Sequence, residues 1–362
     1  MLLEGDAAEW RQIAAAAGWR FLAPWAETQE KSLDLRLRAL DAKLAAARQQ
    51  GGVDATRIYA AAQGEGAAAL FYAVSRMPDL WTAAVAVGGN ARQAIDSNRL
   101  FGANTGNVPV LWISGNAGDE ALAKRMQAAG FNLEWKMDPA AKAGEVIAWL
   151  GAKRRDRFPA RVDCETGTPA FARCYWIEMT AFDLAERNDA LDSTRVPPVG
   201  TGASLDLGGF GYNPAAPGPG VEVAWLPPNH PGSLKLGDRI VSVGGKAIEN
   251  GAAYARMMDE TAEERPVAVL VQRGKERIRL ETRVIVPRRE EVQTARVQGQ
   301  YSVEAREILV LSRAVTGMRL TVPAEWAPAA VNWNGVEAGK VEAGGCWLLR
   351  VEKGLITGRK CP

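Results

Sequence analysis

In the first half of the chain, short apolar runs alternate with segments whose apolar residues recur every three to four positions, the pattern of strands separated by amphipathic helices. Residues 19–23, 57–61, 83–87, 110–114 and 133–137 read as strands. Residues 32–48, 66–76, 120–130 and 143–153 read as helices, and residues 1–5 as a short strand entering a turn. Regular strand and helix alternation predicts a parallel sheet with helices on its faces, hence an α/β region over residues 1–157. The charged run Lys153-Arg154-Arg155-Asp156-Arg157-Phe158-Pro159 then reads as a solvated helix end and linker.

Beyond it the period shortens to that of strands. Residues 174–179, 308–311 and 318–322 fit this pattern, as do 267–272 and 277–286, which are joined by a hairpin turn at 273–276. Trp333-Asn334-Gly335 marks a further turn. One amphipathic helix, 251–264, and two Pro/Gly-rich stretches, 196–202 and 213–220, interrupt the strands. Residues 158–198 and 289–362 are each too short for a stable β-domain, but together they supply about 110 residues, enough for a sandwich-like one. The expected fold is therefore multidomain: a parallel-sheet α/β domain, then a β-rich domain interrupted by an inserted domain over 199–288.

Composition narrows the chemistry. Lys and Arg number 44 against 42 Asp and Glu, a net charge of +2, which gives no electrostatic case for nucleic acid or an anionic membrane as partner. The apolar runs are too short and too often broken for a membrane span. A single histidine, His230, leaves almost no room for imidazole catalysis or a His-built metal site, and it falls in a Pro-rich loop that reads as solvent-exposed. Four cysteines without a CxxC spacing make a metal cluster improbable. They are either free thiols or, in an exported chain, Cys164 paired with Cys174 or Cys346 with Cys361, each pair lying within one short β segment. A periplasmic or secreted location is favoured over a cytoplasmic one. The opening residues show no charged segment followed by a long apolar one, which leaves open whether an export signal was removed.

Two stretches carry candidate chemistry. The first, Arg57 to Ala68, is a strand, a tight turn and a helix start, with Ala62-Gln63-Gly64-Glu65-Gly66 at the turn. This resembles the nucleophile elbow of the α/β-hydrolase family, and the resemblance extends over residues 1 to about 155. It implies a nucleophile at Gly64, which has no side-chain oxygen. It sets Glu4 where the family has His-Gly beside the oxyanion hole, makes Asp119 a remnant acid, and sets Lys142 about where the catalytic His belongs. With nucleophile and base both missing, the domain is expected to be degenerate and non-catalytic. The alternative is a serine hydrolase with a non-standard nucleophile, Ser75, Ser97 or Ser114, and Lys142 as base. Gly64-Glu65-Gly66 is followed by Ala67-Ala68-Ala69, so a dinucleotide loop is absent and no cofactor is expected.

The second stretch runs from Ser204 through Leu207-Gly208-Gly209-Phe210 to Leu234-Lys235-Leu236-Gly237-Asp238-Arg239-Ile240-Val241-Ser242-Val243-Gly244-Gly245. It resembles the PDZ family, in the bacterial form found on periplasmic proteases, over about residues 200–288. The resemblance implies that Leu207, Gly208, Gly209 and Phe210 hold a peptide carboxylate with main-chain N–H groups. Tyr254, Met257 and Met258 would flank the peptide groove, although their spacing is equally that of ordinary core packing. The β segments around Cys174 to Met179 and Ala330 to Gly335 are similar to the accessory β-domain of some secreted bacterial hydrolases. Trp326, Trp333 and Trp347 read as core rather than as a sugar platform. Together these readings predict a non-catalytic scaffold or regulatory protein that binds a protein or peptide C-terminus.

Overall fold

The computed structural model describes residues 1–3, 5–23, 33–138, 143–183, 191–213, 216–287 and 293–362. The chain divides into two compact units, Met1–Pro197 with Val292–Pro362, and Pro198–Glu291.

The first unit begins with helices α1 (Ala7–Ala16) and α2 (Leu33–Gln49). Strands β1 (Tyr59–Gln63), β2 (Ala83–Val87), β3 (Val110–Ser114) and β4 (Leu133–Met137) then alternate with α3 (Ala67–Arg76), α4 (Arg92–Asp96) and α5 (Asp119–Ala128), and α6 (Ala143–Gly151) closes the series. The four strands form one parallel sheet in the order β1-β2-β3-β4. Period-2 alternation divides their side chains between two faces. Tyr59, Ala61, Val85, Leu111 and Ile113 share a core with Trp10 of α1 and with Val146 and Leu150 of α6. On the opposite face Ala60, Ala62, Ala84 and Ala86 are small, which lets α3 lie close over β1 and β2 with every one of its residues buried. Phe71 of α3 meets Trp112 edge-on at 5.1 Å.

Three local readings need correction. Residues 19–23 form no strand: Trp19 and Phe21 pack over the α1 and α6 face, the Leu22 carbonyl accepts from the Leu2 N–H, the Trp19 N–H donates to the Ala14 carbonyl, and the Arg20 guanidinium donates to the Gln50 side chain. Residues 7–16 are a helix that the apolar pattern does not announce, capped by the Asp6 carboxylate on the N–H groups of Ala8 and Glu9. The charged run after α6 is anchored rather than a free hinge. The Arg155 N–H donates to the Thr56 carbonyl, Arg154 holds the Gly151 carbonyl, and the Pro159 carbonyl accepts from the Trp176 indole.

The chain continues through β5 (Arg161–Thr166), β6 (Arg173–Cys174) and β7 (Ile177–Phe182). The predicted strand 174–179 is thus broken, because Tyr175 takes a left-handed conformation (φ +56°) and turns β6 back onto β7. The second unit supplies β8 (Ser204–Leu205), β9 (Val221–Glu222), β10 (Arg239–Val243), β11 (Lys246–Ala247), α7 (Gly251–Glu260), β12 (Arg265–Arg273) and β13 (Glu276–Ile285). The first unit then resumes with β14 (Ala295–Ser302), β15 (Glu307–Arg313), β16 (Val315–Val322), β17 (Ala329–Trp333), β18 (Val336–Val341), β19 (Gly345–Glu352) and β20 (Leu355–Lys360).

The β-rich part of the first unit consists of two five-stranded sheets, β18-β17-β15-β14-β5 and β20-β19-β16-β7-β6. Both feed one core that includes Trp176, Trp326, Trp333, Val297, Met318 and Leu320. Trp326 and Trp333 are core residues, and Trp347 is partly buried against that core. Disulfides join Cys164 to Cys174 and Cys346 to Cys361, with Cα separations of 6.1 and 5.3 Å.

In the second unit, β11-β10-β12-β13-β8 form one sheet, with β9 also paired to β10. Val267, Val269 and Val271 of β12, Ile240 and Val243 of β10, and Tyr254 and Met258 of α7 make its core. The two-residue turns are legible in the residues that form them: Gly244 and Gly245, at φ +58° and +78°, close β10 onto β11.

Candidate functional site

The turn after β1 brings together the first set of candidate residues. Gln63 ends the strand in an extended conformation, Gly64 turns at φ +60°, and a single 3-10 turn over Gly64–Gly66 leads into α3. A Cβ on Gly89 would collide with the Gly64 carbonyl oxygen, so the loop after β2 must be glycine to let the turn close. A Cβ on Gly64 itself would meet nothing within 4 Å. Open space therefore lies beside a residue with no group to project into it. The Gln63 side-chain oxygen accepts from the Asp6 N–H at 3.2 Å and from the Trp10 indole at 3.3 Å, which fixes the entry to α1 over this edge.

The polar groups that could serve catalysis here are committed elsewhere. Asp119 is buried, and the Ser114 hydroxyl donates to it while accepting from the Asn116 N–H. Burial pushes the Asp119 carboxyl above its ordinary range, against the lowering effect of the Ser114 hydrogen bond. The Ser75 hydroxyl is closed on the main chain of Phe101, donating to its carbonyl and accepting from its N–H. Ser97 donates to the Ala94 carbonyl. Glu4 and Lys142 lie outside the described residues. Among the described residues of this unit no imidazole exists, since the chain's one histidine is His230.

The second set lies in the Pro198–Glu291 unit. Strand β8 pairs with β13, and the tie continues one residue further: the Asp206 N–H donates to the Arg283 carbonyl, and the Thr282 hydroxyl donates to the Asp206 carbonyl. Leu207 is buried in the core. Gly208 and Gly209 then take φ +82° and +77°, left-handed values that only glycine adopts freely. Phe210 follows, its ring 6.1 Å from both Tyr212 and Tyr254. Gly211 exchanges main-chain hydrogen bonds with the Ala224-Trp225 segment. Among the described residues, no protein acceptor takes a hydrogen bond from the N–H groups of Gly208, Gly209 or Phe210. Three consecutive main-chain donors without an internal partner, in a partly exposed loop, can bind an anion.

Helix α7 packs beside this segment. It is N-capped by Asn250, whose side-chain oxygen accepts from the Ala253 N–H. Tyr254 and Met258 point into the core, and Met257 is partly buried against it. Tyr212 meets Tyr254 edge-on at 5.2 Å. Burial raises the Tyr254 phenol, so it stays neutral and acts as an apolar wall with one polar tip.

Three features escaped the sequence reading. His230 is not solvent-exposed: it is half-buried against Gly208 and Gly232, with both ring nitrogens shielded from solvent. Trp225, next to Gly211, is 56% exposed, a large apolar side chain left on the surface beside the loop segment. Asp238 is buried and takes two hydrogen bonds from the Arg273 guanidinium at 2.8 Å and a third from the Lys235 N–H. Arg273 also holds the Ser233 carbonyl. The Gly237-Asp238 turn was legible as a turn, but its ion-pair lock depends on a residue 35 positions away. A scan against protein-family models and a search of curated proteins both return no match to this chain.

Proposed function

We propose that the chain is a non-catalytic scaffold in which a PDZ-type module, over about residues 199–288, is inserted into a β-rich domain that follows a degenerate α/β-hydrolase-like domain, and that the module binds a peptide C-terminus. The observation that carries this reading is the loop Leu207-Gly208-Gly209-Phe210, with three successive main-chain N–H groups that have no acceptor among the described residues. A terminal carboxylate offers two acceptor oxygens to such a loop, and an extended peptide can then run beside the 210–212 segment. The exposed Trp225 beside Gly211 supplies an apolar surface for a ligand side chain. On the α/β side, a glycine at the turn and serines hydrogen-bonded to the main chain of Phe101 and Ala94 or to Asp119 support the absence of hydrolysis.

The test is a screen of random C-terminal peptides against the full chain. Selection of a consensus in the last few residues, with binding weakened by C-terminal amidation, supports the reading. No enrichment over an unrelated control contradicts it. Affinity in the micromolar range is expected, because a short peptide buries little surface and must be ordered on binding.

A further inference from the structure

We propose that the outer face of the sheet β18-β17-β15-β14-β5 is a binding site for a neutral saccharide, held by the side-chain amides of Gln298, Gln300 and Asn332 over an apolar floor of Leu309 and Leu311. The site lies wholly in the first unit and does not depend on the peptide-binding reading. Period-2 alternation turns Val297, Ile308, Val310 and Val331 into the β-rich core, so the residues that alternate with them face outward. Strand register sets these outward residues in two rows. Asp163, Gln298 and Leu311 run across β5, β14 and β15, and Arg161, Gln300, Leu309 and Asn332 run across β5, β14, β15 and β17. They line a groove of 780 Å³, to which Ala103, Gly106 and Asn107 also contribute. The loop carrying these last three is fixed. The Asn104 side chain donates to the Glu165 carbonyl at 2.9 Å and accepts from its N–H at 2.6 Å, and the Asn107 side chain donates to the Arg161 carbonyl at 2.9 Å. The groove is therefore preformed, and its volume falls within the range of small-ligand sites, about 300–1,000 Å³.

Gln300 and Asn332 are half-buried, and among the described residues neither side chain has a hydrogen-bond partner. Their amide atoms are not occluded, so a ligand can reach them. Gln298 donates its Nε2 to Asp163 at 2.8 Å and keeps its side-chain oxygen open. Each amide sets a donor beside an acceptor, the arrangement that adjacent hydroxyl groups satisfy. Charge then narrows the ligand. Arg296 donates its Nε and Nη2 to the two Asp163 oxygens at 2.9 and 2.5 Å, which compensates that carboxylate within the sheet. The exposed Arg161 is left as one cation at the groove, too little for a phosphorylated or polyanionic ligand. Main-chain capture of an extended peptide needs a free strand edge, and β14, β15 and β17 are each paired on both sides. The ligand that fits is uncharged, rich in hydroxyls and apolar on one face. Leu309 and Leu311, 38% and 41% exposed, meet the C–H face of a sugar ring.

The experiment screens the full chain against an array of neutral and anionic oligosaccharides, then titrates the best neutral binder while following the side-chain amide signals of Gln300 and Asn332. A neutral oligosaccharide is expected to bind and to shift both signals. Gln300→Ala and Asn332→Ala are each expected to weaken it by about fivefold, the worth of one uncharged hydrogen bond. Absence of binding to every neutral member of the array overturns the inference. Binding of anionic members alone, lost in Arg161→Ala, makes the groove an anion site and overturns it as well. A neutral oligosaccharide that binds but leaves the Gln300 and Asn332 signals unmoved has the same consequence, because it sits elsewhere. A C-terminal peptide that shifts these signals where no oligosaccharide does makes the groove a peptide surface, again against the inference. Should either variant fail to fold, the amide signals of the unmodified chain decide the matter.

Discussion

A carboxylate taken out of water needs donors on both oxygens, and Asp238 has them in the Arg273 fork and the Lys235 N–H. Burial pushes its carboxyl up, but the Arg273 hydrogen bonds and the Lys235 N–H outweigh this and hold it below its ordinary value. A lowered folded value means that Asp238 contributes stability above the unfolded carboxylate range near pH 4. That contribution is lost as pH falls through the folded value. Asp238→Asn is expected to destabilise the second unit by about 2 kcal/mol near neutral pH and by progressively less under acid conditions. Hydrogen exchange of β10 and β12 amides measures this, and an unchanged exchange rate at neutral pH would contradict it. At Gly64 the account predicts an inert substitution. Gly64→Ser has room for its Cβ, at a strain of about 1 kcal/mol for a positive φ, yet the described residues of its unit include no histidine to activate it. Neither the chain nor Gly64→Ser should turn over an activated ester or become labelled by a serine-directed phosphonate. Stoichiometric labelling of the unmodified chain would refute the non-catalytic reading.

Strands β2, β3 and β4 coincide residue for residue with the predicted runs at 83–87, 110–114 and 133–137. Strand β4 alternates, with Leu133 buried and Glu134 and Lys136 exposed, whereas β2 and β3 are buried along nearly their whole length and so read as near-continuous apolar runs. The run at 19–23 has the same signature for a different reason: Trp19 and Phe21 cover one face of the sheet without joining it. Helix α1 escaped notice because only Trp10 and Ala14 of its ten residues are buried, too few to set a period. The glycines of the Leu207–Phe210 loop could be read from the chain. The His230 berth could not, because it is built from Gly208 and Gly232 across a folded loop. The same limit applies to Glu165 on β5. Its buried carboxylate accepts from Ser193, from the Thr194 N–H and hydroxyl, and from Thr294, with Arg313 at 3.4 Å. It thereby fastens the segments just before and just after the inserted unit to one strand. Glu165→Ala should cost about 3 kcal/mol of first-unit stability, since four donors and a guanidinium lose their acceptor. Thermal unfolding checks this, and a midpoint within a degree of the unmodified chain would contradict it.

Over the whole molecule, each disulfide closes a short loop within the β-rich part, with sequence separations of 10 and 15. Replacing Cys346 and Cys361 by Ser is expected to lower first-unit stability by about 3 kcal/mol, the loop-closure entropy of a loop this size. Calorimetry with and without reductant tests this, and identical scans would show that the thiols are unpaired. The proposed scaffold reading depends on the second unit, where the N–H groups of Gly208, Gly209 and Phe210 have no acceptor among the described residues, so the account stands or falls on that loop. The most direct measurement is the amide spectrum of the full chain titrated with a screened peptide as free acid and as amide. The account predicts that Gly208, Gly209 and Phe210 N–H signals move with the free acid, saturate at micromolar to sub-millimolar peptide, and move far less with the amide. Free-acid binding that leaves those three amides unperturbed, or no binding at all, would contradict it.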